Sequence, residues 1–162
     1  MKLVVVAVGR LREKNYADAC AAYCKRMATM LPVEVVEVEE APIADEGDPV
    51  AVGRALDIEG RRIQRCLREG DLVIALAPDG KTMDSVAFSR AILSPDPLRP
   101  ADQKRCVFIV GSSHGLAPAV YARAQWKLSF GPMTFPHQLA RLMLLEQLYR
   151  AQMIGRGAAY HK

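Results

Sequence analysis

Long apolar runs are missing from this sequence of 162 residues: the first, KLVVVAV, stops at Gly9-Arg10. That is far short of the ~20 residues a membrane span needs. No small-residue cleavage site follows it, so the start does not resemble a secretory signal. A cytoplasmic protein without membrane contact is the expectation. Cysteines are few, and Cys20, Cys24, Cys66 and Cys106 form no Cys-x-x-Cys pair. Cys20 and Cys24 fall on one helix face, but nothing nearby completes a zinc tetrahedron, so reduced thiols and no metal are expected. None of the three histidines, His114, His137 and His161, is spaced i,i+3 or i,i+4 from another. Helix capping or exposure is the default for each, with His161 freest to meet a substrate. Nucleotide-binding fingerprints are absent too. APDGKT, 77–82, ends like a phosphate loop but has Ala75 where the first glycine belongs. Its Pro78-Asp79-Gly80 reads better as a turn.

What is present is an alternation. Five strand-like runs, 2–8, 33–39, 71–77, 105–111 and 126–130, are separated by helical patterns near 15–30, 50–69, 84–93, 117–124 and 137–154. This order predicts an α/β fold with a mostly parallel sheet flanked by helices, in a single domain over 1–162. The nearly unbroken apolar runs 2–8 and 105–111 belong to strands buried on both faces. VEVVEVE, 33–39, suits a strand nearer an edge. SPDPLRPAD, 94–102, reads as a surface connection within the domain.

Net charge is +4, unevenly spread. Residues 123–162 carry Arg123, Lys127, Arg141, Arg150, Arg156 and Lys162 against Glu146 alone. A basic quarter of this kind fits a polyanion partner or a solvated face. The last helical pattern is apolar around nearly its whole circumference, through Leu139, Leu142, Met143, Leu144, Leu145, Leu148, Tyr149, Met153 and Ile154. Such a helix must be buried on more than one side. The sheet covers one side and a second copy would cover the other, so a homodimer is expected, with Leu145→Arg disrupting it.

Ligands of open α/β sheets bind beyond the carboxyl ends of the strands. Those ends fall at Leu76-Ala77, at Gly111-Ser112 in VGSSHGLAP, and at FGPMTFPHQ, 130–138. Glycines there admit close approach to backbone. VGSSHGLAP alone is equally a plain strand-to-helix loop.

MTFPHQLARLMLLEQLYRA followed by RGAAYHK, with the initial MKLVVVAVG, VIALAPDGK and VGSSHGL, resembles the ribosomal large-subunit pseudouridine methyltransferase H family of the SPOUT class, over Met1 to Lys162. The resemblance implies a SPOUT methyltransferase fold with a C-terminal deep trefoil knot, and a homodimer. It implies an enzyme that uses S-adenosylmethionine to methylate N3 of a pseudouridine in 23S rRNA of the assembled ribosome. Cofactor contacts carry over to Leu76, Gly111, Phe130, Gly131, Pro132, Met133, Thr134 and Phe135. Ser112 stands where many relatives have a second glycine, and it can serve there with negative φ. A uracil-type N3–H must lose its proton for attack, so a base or a cation is needed. His161, Tyr160 and Arg156 are the candidates, with Arg141, Arg156 and Lys162 as RNA contacts. The neighbouring readings are a SPOUT methyltransferase acting on tRNA or another rRNA nucleotide, and a ribosome-binding factor without catalysis.

Overall fold

A computed structural model describes residues 1–93 and 105–160. The 94–102 connection, His161 and Lys162 lie outside the described residues. The strands are β1 (Lys2–Val8), β2 (Val33–Val38), β3 (Leu72–Lys81), β4 (Arg105–Val110) and β5 (Trp126–Leu128). Between and after them run the helices α1 (Lys14–Met27), α2 (Pro49–Gln64), α3 (Ser85–Leu93), α4 (Pro118–Arg123) and α5 (His137–Gly155). All pairings are parallel, in the order β2-β1-β4-β3-β5. The alternation read from the sequence therefore yields a wholly parallel sheet, with VEVVEV at one edge.

Side chains of the inner strands alternate between two apolar layers. Leu3, Val5 and Ala7 of β1 face α1, α3 and α5 with Phe108, Phe88 and Leu144. Val4, Val6 and Val8 face α2 and α4 with Ile63, Ala117 and Val120. Because β1 and β4 are covered on both sides, their runs have no polar alternation. Asp48 caps α2 by accepting from the Val50 amide, and Pro49 supplies its first turn.

Two elements differ from expectation. Pro78-Asp79-Gly80 does not end β3 as a turn: the strand continues to Lys81, and Leu76 and Lys81 both pair with Leu128 across a register shift. Glycine is required in this bulge because a Cβ at Gly80 would lie 2.7 Å from the Leu128 carbonyl carbon. At the edge of the sheet opposite β2, β5 is only three residues long. The chain leaves the ladder at Ser129, whose side chain bonds the backbone that follows.

Helix α5 lies between α1 and α3. Leu144, Leu145, Leu148 and Ala151 are fully buried within the chain, while Leu139, Leu142, Met143, Tyr149, Met153 and Ile154 stay half-buried. Leu145 is thus a core residue, whereas Leu139, Met143 and Leu142, the last packed against the core, keep part of their side chains exposed. Among the described residues no helix is long and apolar enough to cross a membrane.

Candidate functional site

β4, β3 and β5 are neighbours in the sheet and run in the same direction, so Gly111 and Phe130 leave it on the same side, next to Leu76, the last residue of β3 before the bulge. At the β4 exit, a Cβ on Gly111 would collide with the Gly115 carbonyl, because Ser112 and Gly115 close a tight bridge. Gly115 itself has φ +89. No described non-glycine residue has positive φ, so Ser112 sits in its loop without backbone strain. Its hydroxyl donates to Glu59 Oε2 at 2.9 Å, while Glu59 Oε1 accepts from the Ala41 amide at 3.0 Å. One buried carboxylate on α2 thereby ties the loop after β2 to the loop after β4.

The β5 exit is held differently. Ser129 Oγ accepts from the Gly131 amide at 3.1 Å and donates to the Pro78 carbonyl at 3.0 Å. This links the Gly131 loop to the bulge of β3. Gly131 has φ +121, a conformation that side-chain-bearing residues rarely adopt. Phe130 and Phe135 are half-buried, whereas Pro132, Met133 and Thr134 are exposed or nearly so, Met133 to 70%. A cavity of ≈ 890 Å³ opens beside this loop between α1, α3 and α5, bounded by Phe130, Gly131, Phe88, Leu142 and Met143. Its size suits a ligand as large as a nucleoside derivative. Phe130 and Gly131 are the expected cofactor residues that line it; Leu76 and Gly111 do not.

The C-terminal cations are largely engaged inside the chain. Arg141, expected to touch RNA, is 1% exposed: Nη1 bonds Glu37 Oε1 at 2.6 Å and Nη2 donates to the Gly9 carbonyl at 2.6 Å. An RNA contact through Arg141 is therefore corrected to an internal tie between α5, β1 and β2. Arg150 pairs with Glu146 at 2.6 Å, Lys127 with Asp79 at 2.9 Å, and Arg123 donates to the Arg68 carbonyl. Arg156 is exposed and has no ion pair among the described residues. Tyr160 packs edge-on against Tyr149, lies under the Arg150 guanidinium and donates to Glu146. Burial, then hydrogen bonding to Tyr23, pushes its phenol up to about 12. A phenol so shifted keeps its proton at neutral pH and serves as a donor, not a base.

Three residues escaped the sequence reading. Glu59 had a visible signal, a lone carboxylate on the α2 stripe otherwise made by Ala55, Gly60 and Ile63. Ser129 had none. His137, expected to cap or lie exposed, does neither: Pro136 holds the cap position and the ring is half-buried beside Gly9. Burial holds the His137 pKa below the usual histidine range, against the opposing pull of Glu40. Among the described residues no cluster of three or more His, Cys, Asp or Glu could hold a metal. The four cysteines are free thiols, and burial pushes Cys20 up to about 11, leaving it unreactive at neutral pH.

A family profile described as "Predicted SPOUT methyltransferase" matches residues 1–161. The chain is 42% identical over 162 residues, covering all of both proteins, to Ribosomal RNA large subunit methyltransferase H of Lactococcus lactis subsp. lactis. Its identity to the protein of the same name from Streptococcus agalactiae is 40%, again over the full length of both. Among solved structures, a probable methylase family protein from Haemophilus influenzae shares the fold with a TM-score of 0.57 at 13% identity. That match covers 96% of this chain and 66% of the other.

Proposed function

Because the chain belongs to the SPOUT methyltransferases, in the large-subunit rRNA methyltransferase H family, we propose that it methylates N3 of a pseudouridine in 23S rRNA of the assembled ribosome, using S-adenosylmethionine. The observation that supports the cofactor reading is the placement of Leu76, the last residue of β3 before its bulge, beside Gly111 and Phe130, which follow the ends of the parallel strands β4 and β5. The residues fit the group. The Gly131 turn is open, with nothing within 4 Å of where a Cβ would stand, and Pro132, Met133 and Thr134 beyond it are exposed. In this reading backbone groups of Leu76, Gly111 and 130–135 bind the nucleoside, and Phe130 and Phe135 screen it from water. Met133 and Thr134, exposed in the isolated chain, would close over it.

When bound, S-adenosylmethionine supplies a methyl group on a sulfonium, open to in-line displacement. The protein's contribution is positioning plus management of the N3 proton. His161 is the proposed base. Arg156 stabilises the ring anion that forms as the proton leaves, and Tyr160 serves as a donor. Arg156 and Lys162 contact the phosphate backbone.

The proposed molecule is a single-domain homodimer of the cytoplasm with the C-terminal knot of its class, its second copy seated on Leu139, Leu142 and Met143. The deciding experiment is methyl transfer from labelled S-adenosylmethionine to ribosomes and to free subunits, followed by mass spectrometry of the rRNA. N3-methylpseudouridine formed on ribosomes supports the reading. A label on tRNA or on another rRNA nucleotide replaces it with the neighbouring substrate. No transfer, together with no calorimetric binding of the cofactor, leaves a ribosome-binding factor.

A further inference from the structure

The basic C-terminal quarter suggests polyanion binding, yet most of its described cations are spent on internal partners. Apart from Arg156, a group of unspent arginines lies on another element. Arg54, Arg61 and Arg65 of the α2 region are all exposed, and none makes an ion pair among the described residues. Their spacing, i, i+7 and i+11, sets them on one helical stripe about 16 Å long. Arg68, just past the helix end, is also exposed. Asp57 is the only exposed acid within α2. Arg62, by contrast, serves the fold, pairing with Glu39 and donating to its carbonyl at 2.8 Å.

We propose that this arginine stripe on α2 is a docking surface for the RNA phosphate backbone, a proposal that rests on rRNA being the substrate. Attraction to the helix C-terminus accounts for Arg61 and Arg65. It does not account for Arg54, two turns earlier, where the stripe continues. The stripe also stands where docking can orient the site. The inner face of α2 carries Glu59, which holds Ser112 at the β4 exit, and its outer face carries the arginines. Among the described helices only α4 shares this side of the sheet, so α2 is left uncovered by α1, α3 and α5.

The test is a triple variant, Arg54→Gln, Arg61→Gln and Arg65→Gln, assayed on ribosomes across a salt series beside wild type. A control, Lys25→Gln with Arg90→Gln, removes exposed charges from the other side of the sheet. Each lost phosphate contact lowers the slope of log affinity against log salt by ~0.7 on single strands, so the triple variant should lose about 2. KM should rise about tenfold or more at low salt, with kcat and cofactor affinity unchanged, and the control should match wild type. An unchanged slope and KM in the triple variant overturns the docking surface while leaving the methyltransferase reading intact. Equal losses in the control overturn it as well. Wild type that neither binds nor methylates ribosomes overturns both readings.

Discussion

Ser129 and Gly131 are joined through a side chain, not a backbone ladder: the serine Oγ accepts from the glycine amide at 3.1 Å. The same hydroxyl reaches the Pro78 carbonyl, so one small side chain fastens the proposed cofactor loop to the bulge of β3.

Ser129→Ala should therefore loosen the loop. A hydrogen bond of this kind contributes ~0.5–1.5 kcal/mol, so cofactor affinity should fall about three- to tenfold. Gly131→Val adds backbone strain of ~1–3 kcal/mol at φ +121 and should weaken binding further. Titration calorimetry measures both, and wild-type affinity in both variants would remove this loop from the cofactor site.

Tyr160 and His161 are adjacent in sequence but should separate in kinetics. With its phenol near 12, Tyr160 stays protonated through neutral pH, so Tyr160→Phe should leave the pH profile of transfer unshifted. His161→Ala should lower kcat by ~10²–10⁴, the range of general-base catalysis, with cofactor affinity retained. Full turnover by His161→Ala on ribosomes would exclude that residue as the base.

Leu139, Leu142 and Met143 are among the apolar side chains of α5 that stay half-exposed after folding. Leu142→Glu should convert the proposed dimer to monomer in sedimentation equilibrium while the chain stays folded. Leu145→Arg cannot make this distinction, because Leu145 is 0% exposed within the chain and a charge there damages the core itself. A Leu142→Glu protein that still sediments as a dimer would move the interface elsewhere.

His137 should make stability sag on the acid side. Its pKa is lowered in the folded state, so near and below the ordinary value of ~6.5 the unfolded chain takes up a proton that the native ring resists. The associated stability is complete above that value and is lost as pH falls towards and through the folded pKa. Thermal melts of wild type and His137→Gln from about pH 5 to 8 should differ in slope only in the acid half. Parallel curves would show that the ring titrates as freely folded as unfolded.

Much of the scaffold is legible because it depends on local period. Continuous Val-rich runs require burial on both faces, and β1 and β4 indeed occupy inner positions. The exits of β4 and β5 are legible for the same reason, since in a parallel sheet strands end on the same side, whereas Leu76-Ala77 is not the end of β3, which runs to Lys81. Pro78-Asp79-Gly80 reads wrongly as a strand-ending turn because a turn composition also suits a bulge, and only the approach of Leu128 distinguishes them. Ser129 is invisible, as nothing local marks which serine meets a carbonyl 51 positions away.

The amino-acid sequence by itself determined the alternation of strands and helices, the burial of β1 and β4 on both faces and the family to which the chain belongs. The tertiary structure decided which charges remain available. Arg141 looks like its neighbours in sequence, but Glu37, 104 positions away, is folded against it and consumes its guanidinium. Arg54 and Arg61 meet no such partner among the described residues. Whether a cation is internal or free is set by what lies across space from it, and Coulomb attraction at ion-pair distance depends on the folded separation and not on position in the chain.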